Sequence, residues 1–572
     1  MPDSVTGGVS ENLWQTDRSK LTVGDFNLQA INAFRKFLRK RYNNDVDALR
    51  KAWKKPDVTF DNAAPEISEL TRSGLNDGVF RDPAMGCMTF DYMDFMPSMM
   101  SSLLLDICRQ NKRLTNNRCI NFVHYGFIIA HMQGYNTPGG IFNNNNFDLP
   151  ELLKDPAIDG YVGAASYSGR LAGTAFITYF PWSSFKLNNR MYLLDDDTRY
   201  YHSGTRNYGH TRSLRESQAI LQRNLGADIT RNFGAWFADM SQGEGAQSLS
   251  WTGNREITGM LAKMDKLYRQ AQTDGYRSAA EIAVIFSPES PRYLDFFHGP
   301  TLANNLINWM FYPEFFKLGA PFDVYMTSDL HHRNFPRKQY KLYVMMNCFY
   351  LSDADRQKLN EFKQNNTTFL WFYAPGYVRK NALDVKGITE LTGMETVMLP
   401  GKEKMSAEIG KHFLTANLPA GSRLEASAFT VPATRRMHAD EFGPRFRIVD
   451  KQAEIAARFD DGQGALAFKN MGTWRSVYSV IPRLDRKVLR NICRGAGVHI
   501  YTHEDIAFDA NKNYIVMHNG YGQTRDFMLY LPQNCTVSDA LSNKELARNV
   551  SRLRVKMEPC STLIYRLTGF QN

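Results

Sequence analysis

Three consecutive aspartates, Asp195, Asp196 and Asp197, close the apolar run Met191-Tyr192-Leu193-Leu194, and Arg199 stands just beyond them. A carboxylate at the end of a strand-like run is held by the strand yet reaches the loop layer where a substrate arrives. It can act there as a nucleophile or move a proton. The competing reading is an acidic strand end in which Asp197 simply pairs with Arg199. Other strand-like runs end in groups that suit ligand binding: His124 and Tyr125, then Tyr167 and Arg170, then Trp236 and Asp239. Trp236 offers a flat side chain on which a ligand could stack; a core indole is the alternative. Glu11, in Gly7-Gly8-Val9-Ser10-Glu11-Asn12-Leu13-Trp14, is one more carboxylate, between a short apolar-glycine segment and the first amphipathic helix. On its own it reads as a solvated residue.

The elements that must hold these groups follow from periodicity. Phe34, Phe37, Leu38 and Tyr42 share a helical face, and Leu49 and Trp53 repeat it before Lys55-Pro56-Asp57. A long helix is expected over 88–110 and another over 213–225. Strands are expected at 119–123, 160–165, 192–194 and within 232–239, with a stub near 4–7. Alternating strands and helices imply a parallel barrel or open sheet. A full barrel needs eight strands, so about four plus a stub reads as a barrel entered partway. From Glu281 a second βα series begins: strands at 282–286, 322–326, 342–346 and 368–372, helices at 302–318 and 354–363, then 476–480 and a helix over 486–493. Hairpin-like runs at 456–459 and 465–468 interrupt it. The last 70 or so residues alternate at strand spacing and suggest a small β-sandwich. The expected division is 1–275, 276–503 and 504–572.

Bulk properties narrow the function. With 572 residues, 43% apolar and 13% aromatic, the chain has material for several cores. The net charge of +11 is most concentrated in Arg35 to Lys55, where basic residues alternate with apolar ones as the wet face of helices. No nucleic-acid-reading module accompanies it, so no nucleic-acid partner is expected. The seven cysteines are scattered without CxxC or Cys/His spacing, so neither a metal site nor a disulfide framework is expected, and no cofactor motif is present. Asn347-Cys348-Phe349 lacks the glycines of a nucleophile elbow, and Cys348 reads as core. No apolar stretch of about 18 residues suggests a membrane span. The first residues lack the pattern of a secretory signal.

The runs Lys341-Leu342-Tyr343-Val344 to Tyr350-Leu351-Ser352, Leu370 to Tyr377, Glu390-Leu391-Thr392-Gly393 and Gly495 to Tyr501 resemble the middle domain of family 42 glycoside hydrolases. Upstream, Ala33 to Leu38, Arg50 to Trp53, Phe80-Arg81-Asp82-Pro83, Asp91-Tyr92 and Asp197-Thr198-Arg199 resemble the second half of the catalytic barrel of the same β-galactosidase-like group. The resemblance implies a partial (β/α)8 barrel of about strands 4–8, a flavodoxin-like domain related to class I amidotransferases, and a terminal β domain. It also implies a β-linked glycoside or oligosaccharide substrate and a homo-oligomer, a trimer among the options. The cysteine cluster that binds metal in well-studied members is absent. By this alignment Glu11 is the acid/base and Asp195 the nucleophile, with Asp197, Arg199, Tyr125, Tyr167, Trp236 and Asp239 binding substrate. Relatives generally carry Glu where Asp195 stands. Aspartate reaches about an ångström less, a misplacement that can cost about a hundredfold in rate. Two readings stay open: a repositioned nucleophile, or a site that binds sugar without cleaving it.

Overall fold

The computed structural model describes residues 26–70, 78–85, 87–132, 146–203, 209–239, 253–295, 298–426 and 441–570. Its first sheet is all parallel, in the order β1 (Phe122–His124), β2 (Gly160–Ala164), β3 (Met191–Asp196) and β4 (Gly234–Phe237). β1 starts later than the sequence suggests. The Asn121 N–H bonds the Asp159 carboxylate at 2.7 Å, and its amide nitrogen donates to the Cys108 and Ala157 carbonyls at 2.9 and 2.8 Å. Side chains therefore take the backbone group a longer strand would need.

The outer face of this sheet is dry: Val123, Tyr161, Tyr192 and Leu194 are buried in the largest core, beside Phe180 and Phe185. The other face is concave. About 14 Å would separate β1 from β4 in a flat sheet of this size, yet the rings of His124 and Trp236 lie 6.0 Å apart. Two glycines make room for the curl. A Cβ on Gly160 would sit 2.2 Å from the Phe122 ring, and one on Gly234 the same distance from Leu193.

The helix Leu28–Arg41 is capped by Asn27, whose side chain accepts the Ala30 N–H at 2.8 Å. Its basic end is not simply solvated. Arg41 ion-pairs the buried Asp91 at 2.7 Å, and Tyr42 and Trp53 each donate to the same carboxylate at 2.7 Å.

The second sheet has five parallel strands at its heart: β5 (Ile282–Phe286), β6 (Phe322–Met326), β7 (Leu342–Met345), β8 (Thr367–Phe372) and β10 (Trp474–Ser479), in the order β6-β5-β7-β8-β10. β5 and β6 are buried at every residue; β5 is the continuous apolar run expected of a doubly covered parallel sheet, while β6 carries Asp323, whose carboxylate accepts from the Ser183, Ser278 and Tyr340 hydroxyls. The hairpin-like region joins this sheet, with β9 (Gly464–Asn470) antiparallel to β10. The expected helix over 302–318 is broken into an α segment Gly299–Leu306, a π turn Ile307–Phe311 and short turns ending at Lys317. Pro313 explains the break: lacking an N–H, it leaves the Trp309 carbonyl without its usual partner, and Arg483 Nε donates to that oxygen at 3.2 Å.

The C-terminal strands β11 (Ala507–Ala510), β12 (Tyr514–Asn519), β13 (Arg525–Asp539), β14 (Glu545–Met557) and β15 (Ser561–Thr568) form one antiparallel sheet, ordered β11-β12-β15-β13-β14. This corrects the expected sandwich. All five strands feed one core on one face, while Tyr514, Val516 and Ile564 on the other face pack on Leu221 and Leu225 of the helix Leu214–Arg231. A helix, not a second sheet, covers that side.

The three sheets meet at the last residue of that helix. Arg231 is buried, ion-pairs Asp509 of β11 at 2.6 Å and donates to the Phe176 carbonyl at 2.9 Å. Its guanidinium lies 4.8 Å from the Trp182 ring and 5.2 Å from that of Phe316. Removing one partner of a buried ion pair strands the other. Arg231→Met is therefore expected to cost about 3 kcal/mol in chemical denaturation, and adding Asp509→Asn should recover part of it. A loss no larger than that of an ordinary surface substitution would deny the junction this role.

Candidate active site

Strand alternation gives the three aspartates three surroundings. Asp195 lies on the concave face, in register with Ala164 of β2 and Trp236 of β4. Asp196 points the other way and is buried. It accepts from the Thr198 N–H at 2.9 Å and from the Asn224 amide at 2.9 Å, so the helix Leu214–Arg231 pins it from behind. Asp197 is buried between two arginines: its carboxylate pairs with Arg170 and, at 3.0 Å, with Arg199. Its main-chain carbonyl accepts from the same two at 3.2 and 3.0 Å.

Asp195 is half-buried. Its Oδ1 is shielded from solvent and has no hydrogen-bond partner among the described residues. Burial pushes its carboxyl up to about 6. The Trp236 indole draws it down, Asp197 and Asp196 push it up further, and Arg170 opposes them. A carboxyl in this state ionises near neutrality, in the range acid–base and nucleophilic chemistry requires.

Arg170 ties the wall together. Only 1% exposed, it also donates to the Ala165 carbonyl at 3.3 Å, and its guanidinium lies 3.8 Å from the Tyr167 ring centre. Gly209 packs so closely that a Cβ there would meet the Arg170 Cβ at 2.5 Å.

The other expected residues divide. Trp236 and His124 face each other across the concavity, both half-buried. Tyr167 is exposed on a short turn, under Arg170. Asp239 follows β4, half-buried, and adds with Asp196 to the rise that burial gives the Tyr200 phenol. Tyr125 does not belong with them: at 1% exposed it lies in the main core, because the chain after β1 turns inward. Asp197 and Arg199 are buried in their mutual ion pair, the arrangement the competing reading anticipated. Glu11 lies outside the described residues. Cys348 is core, with a thiol that burial pushes well up. Asn224 and the Arg170–Asp197 bond were not anticipated; a lone asparagine on the sheet-facing side of a helix is the only local signal. Among the described residues, no three His, Cys, Asp or Glu side chains converge as a metal site would require.

The folded protein holds the Asp195 proton more tightly than the unfolded chain, so ionising it costs stability as pH climbs from 3.8 to about 6. Asp195→Asn should therefore stabilise the protein by about 3 kcal/mol at about pH 7 and not at all below about pH 4. Denaturation midpoints across pH measure this. An equal gain at both ends would assign the effect to packing instead.

No protein-family model matches the sequence, and no curated protein does. Solved structures do. The β-galactosidase from Bacillus circulans sp. alkalophilus superposes with TM-score 0.62 at 13% identity, covering 96% of this chain and 78% of that one. The GH42 β-galactosidase Gan42B from G. stearothermophilus gives TM-score 0.60 at 14% identity, covering 94% and 75%. The β-galactosidase from Rahnella sp. R3 gives 0.60 at 13%, covering 95% and 77%. No helix among the described residues is long and apolar enough to cross a membrane. At such low identity the likeness lies in the fold, and the fold of this chain is that of the family 42 β-galactosidases.

Proposed function

We propose that the chain is a retaining glycoside hydrolase of β-galactosidase-like type, with Asp195 as nucleophile and Glu11 as acid/base. The observation that carries this reading is the place of Asp195: at the carboxyl end of β3, on a concave parallel sheet, beside an indole. In this reading the curled sheet is the second half of a (β/α)8 barrel, whose chemistry sits at the carboxyl ends of its strands. Asp195 attacks the anomeric carbon as Glu11 protonates the leaving oxygen. Glu11 then takes a proton from the water that releases the sugar. Trp236 stacks on the sugar ring, and the Arg170–Asp197–Arg199 network fixes the strand end. The fold alone does not name the sugar: another neighbour, at TM-score 0.50, is an exo-carrageenase from Bacteroides ovatus.

A second reading, sugar binding without turnover, is favoured by one observation: the shorter aspartate keeps Oδ1 shielded rather than presented to solvent. Turnover of an aryl β-galactoside separates the two. Under the first reading Glu11→Gln and Asp195→Asn each lower kcat/KM by about a thousandfold or more. Sugar binding by calorimetry, with no hydrolysis in the unaltered protein, favours the second. Asp195 must be ionised to attack, so kcat/KM should fall as pH drops through about 6. A rate that rises in that direction would exclude Asp195 as nucleophile.

A further inference from the structure

A cavity of about 530 Å³ lies away from Asp195, at the carboxyl ends of β5, β6 and β7. The chain leaves β5 for β6 on one side and then crosses to β7 on the other, so this is the topological switch point of the doubly wound sheet. Open α/β sheets bind ligands there, and the volume falls within the range of about 300–1,000 Å³ usual for small-molecule sites. Pro288 follows β5, Thr327 follows β6 and Ser352 follows β7. The opposite wall, from Phe147 to Lys154 and Asn188, comes from the segments that connect β1 to β2 and β2 to β3.

The lining states what would fit. Thr327 is 5% exposed and brings a hydroxyl-bearing side chain to the cavity lining, beside Ser328 and Ser352. His332 Nδ1 accepts the Asn334 N–H at 3.2 Å, which leaves Nε2 of the neutral ring carrying the proton and available to a ligand. Three charged groups are paired, Glu151 with Lys154 at 2.7 Å, Asp355 with His331 at 2.7 Å and Glu289 with Arg292 at 3.3 Å, while the carboxyls of Asp148 and Asp329, pushed up by burial, accept from the Ser101 and Ser184 hydroxyls. Phe147, Pro150, Leu153 and Pro288 supply apolar surface between them. Hydroxyls, hydrogen-bonded carboxyls and intervening apolar surface describe the complement of a neutral polyhydroxylated ring.

We propose that this cavity is a second small-molecule site, for a neutral polyol of the monosaccharide class, bridging the first and second sheets. It is separate from Asp195 and stands or falls independently of the catalytic reading. D-galactose and D-glucose are the probes, titrated by calorimetry or ligand-observed NMR into the full chain. In a Trp236→Ala background, where the candidate active site is impaired, at least one sugar should still bind. Thr327→Val, which keeps the shape and removes the hydroxyl, should weaken that binding about tenfold. His332→Gln serves as the second variant should Thr327→Val fail to fold. Loss of binding in Trp236→Ala, with Thr327→Val unaffected, would overturn the proposal and leave the active-site reading intact. Absence of saturable binding, or tighter binding of the diamine putrescine than of either sugar, would also overturn it.

Discussion

The architecture hangs on the buried guanidinium of Arg231. It closes the helix Leu214–Arg231, neutralises Asp509 of the C-terminal sheet, and lies against Trp182 and Phe316 from the first and second units. A buried cation with fixed partners tolerates little displacement. The next residue, Asn232, takes the left-handed conformation that ends the helix, and β4 begins two residues later. The contact that joins three sheets therefore also sets where Trp236 falls in the register beside Asp195.

The same helix serves the candidate site a second time. Asn224, two turns before Arg231, holds Asp196 from behind the sheet, so the strand end is anchored on one face and left free on the other. Arg170 and Arg199 fix Asp197 beyond it. Asp195 is left as the carboxyl whose charge is least compensated, a local cost that the surrounding ion pairs over-determine.

Much of this was legible in the sequence where one physical cause dominated. Ile282–Phe286 and Phe322–Met326 are buried on both faces, and their runs, apolar except for Asp323, give their limits residue for residue. The strand ahead of the three aspartates was equally plain. The sandwich was misread for an identifiable reason: Tyr514 to Asn519 is buried on both faces, and a two-sided apolar strand says that both sides are covered, not by what. The π turn at Ile307 was hidden because apolar periodicity continues through Pro313 while the hydrogen bonds do not. Tyr125 and Trp236 looked alike as aromatics near strand ends. Which one faces the concavity depends on the path of the chain after the strand. The Arg170–Asp197 bond spans 27 residues and leaves no local mark.

The three aspartates carry a consequence for how such a chain can drift. One sits on the concave face, one is bound to a helix behind the sheet, and one is locked between arginines, so three identical residues in a row answer to three unrelated demands. None can stand in for its neighbour. A deletion or duplication within the run would preserve its composition and exchange every role at once. Selection on this stretch therefore acts on reading-frame position within the strand more than on acidity, and lineages that lose the chemistry at the first aspartate can still be expected to keep the second and third.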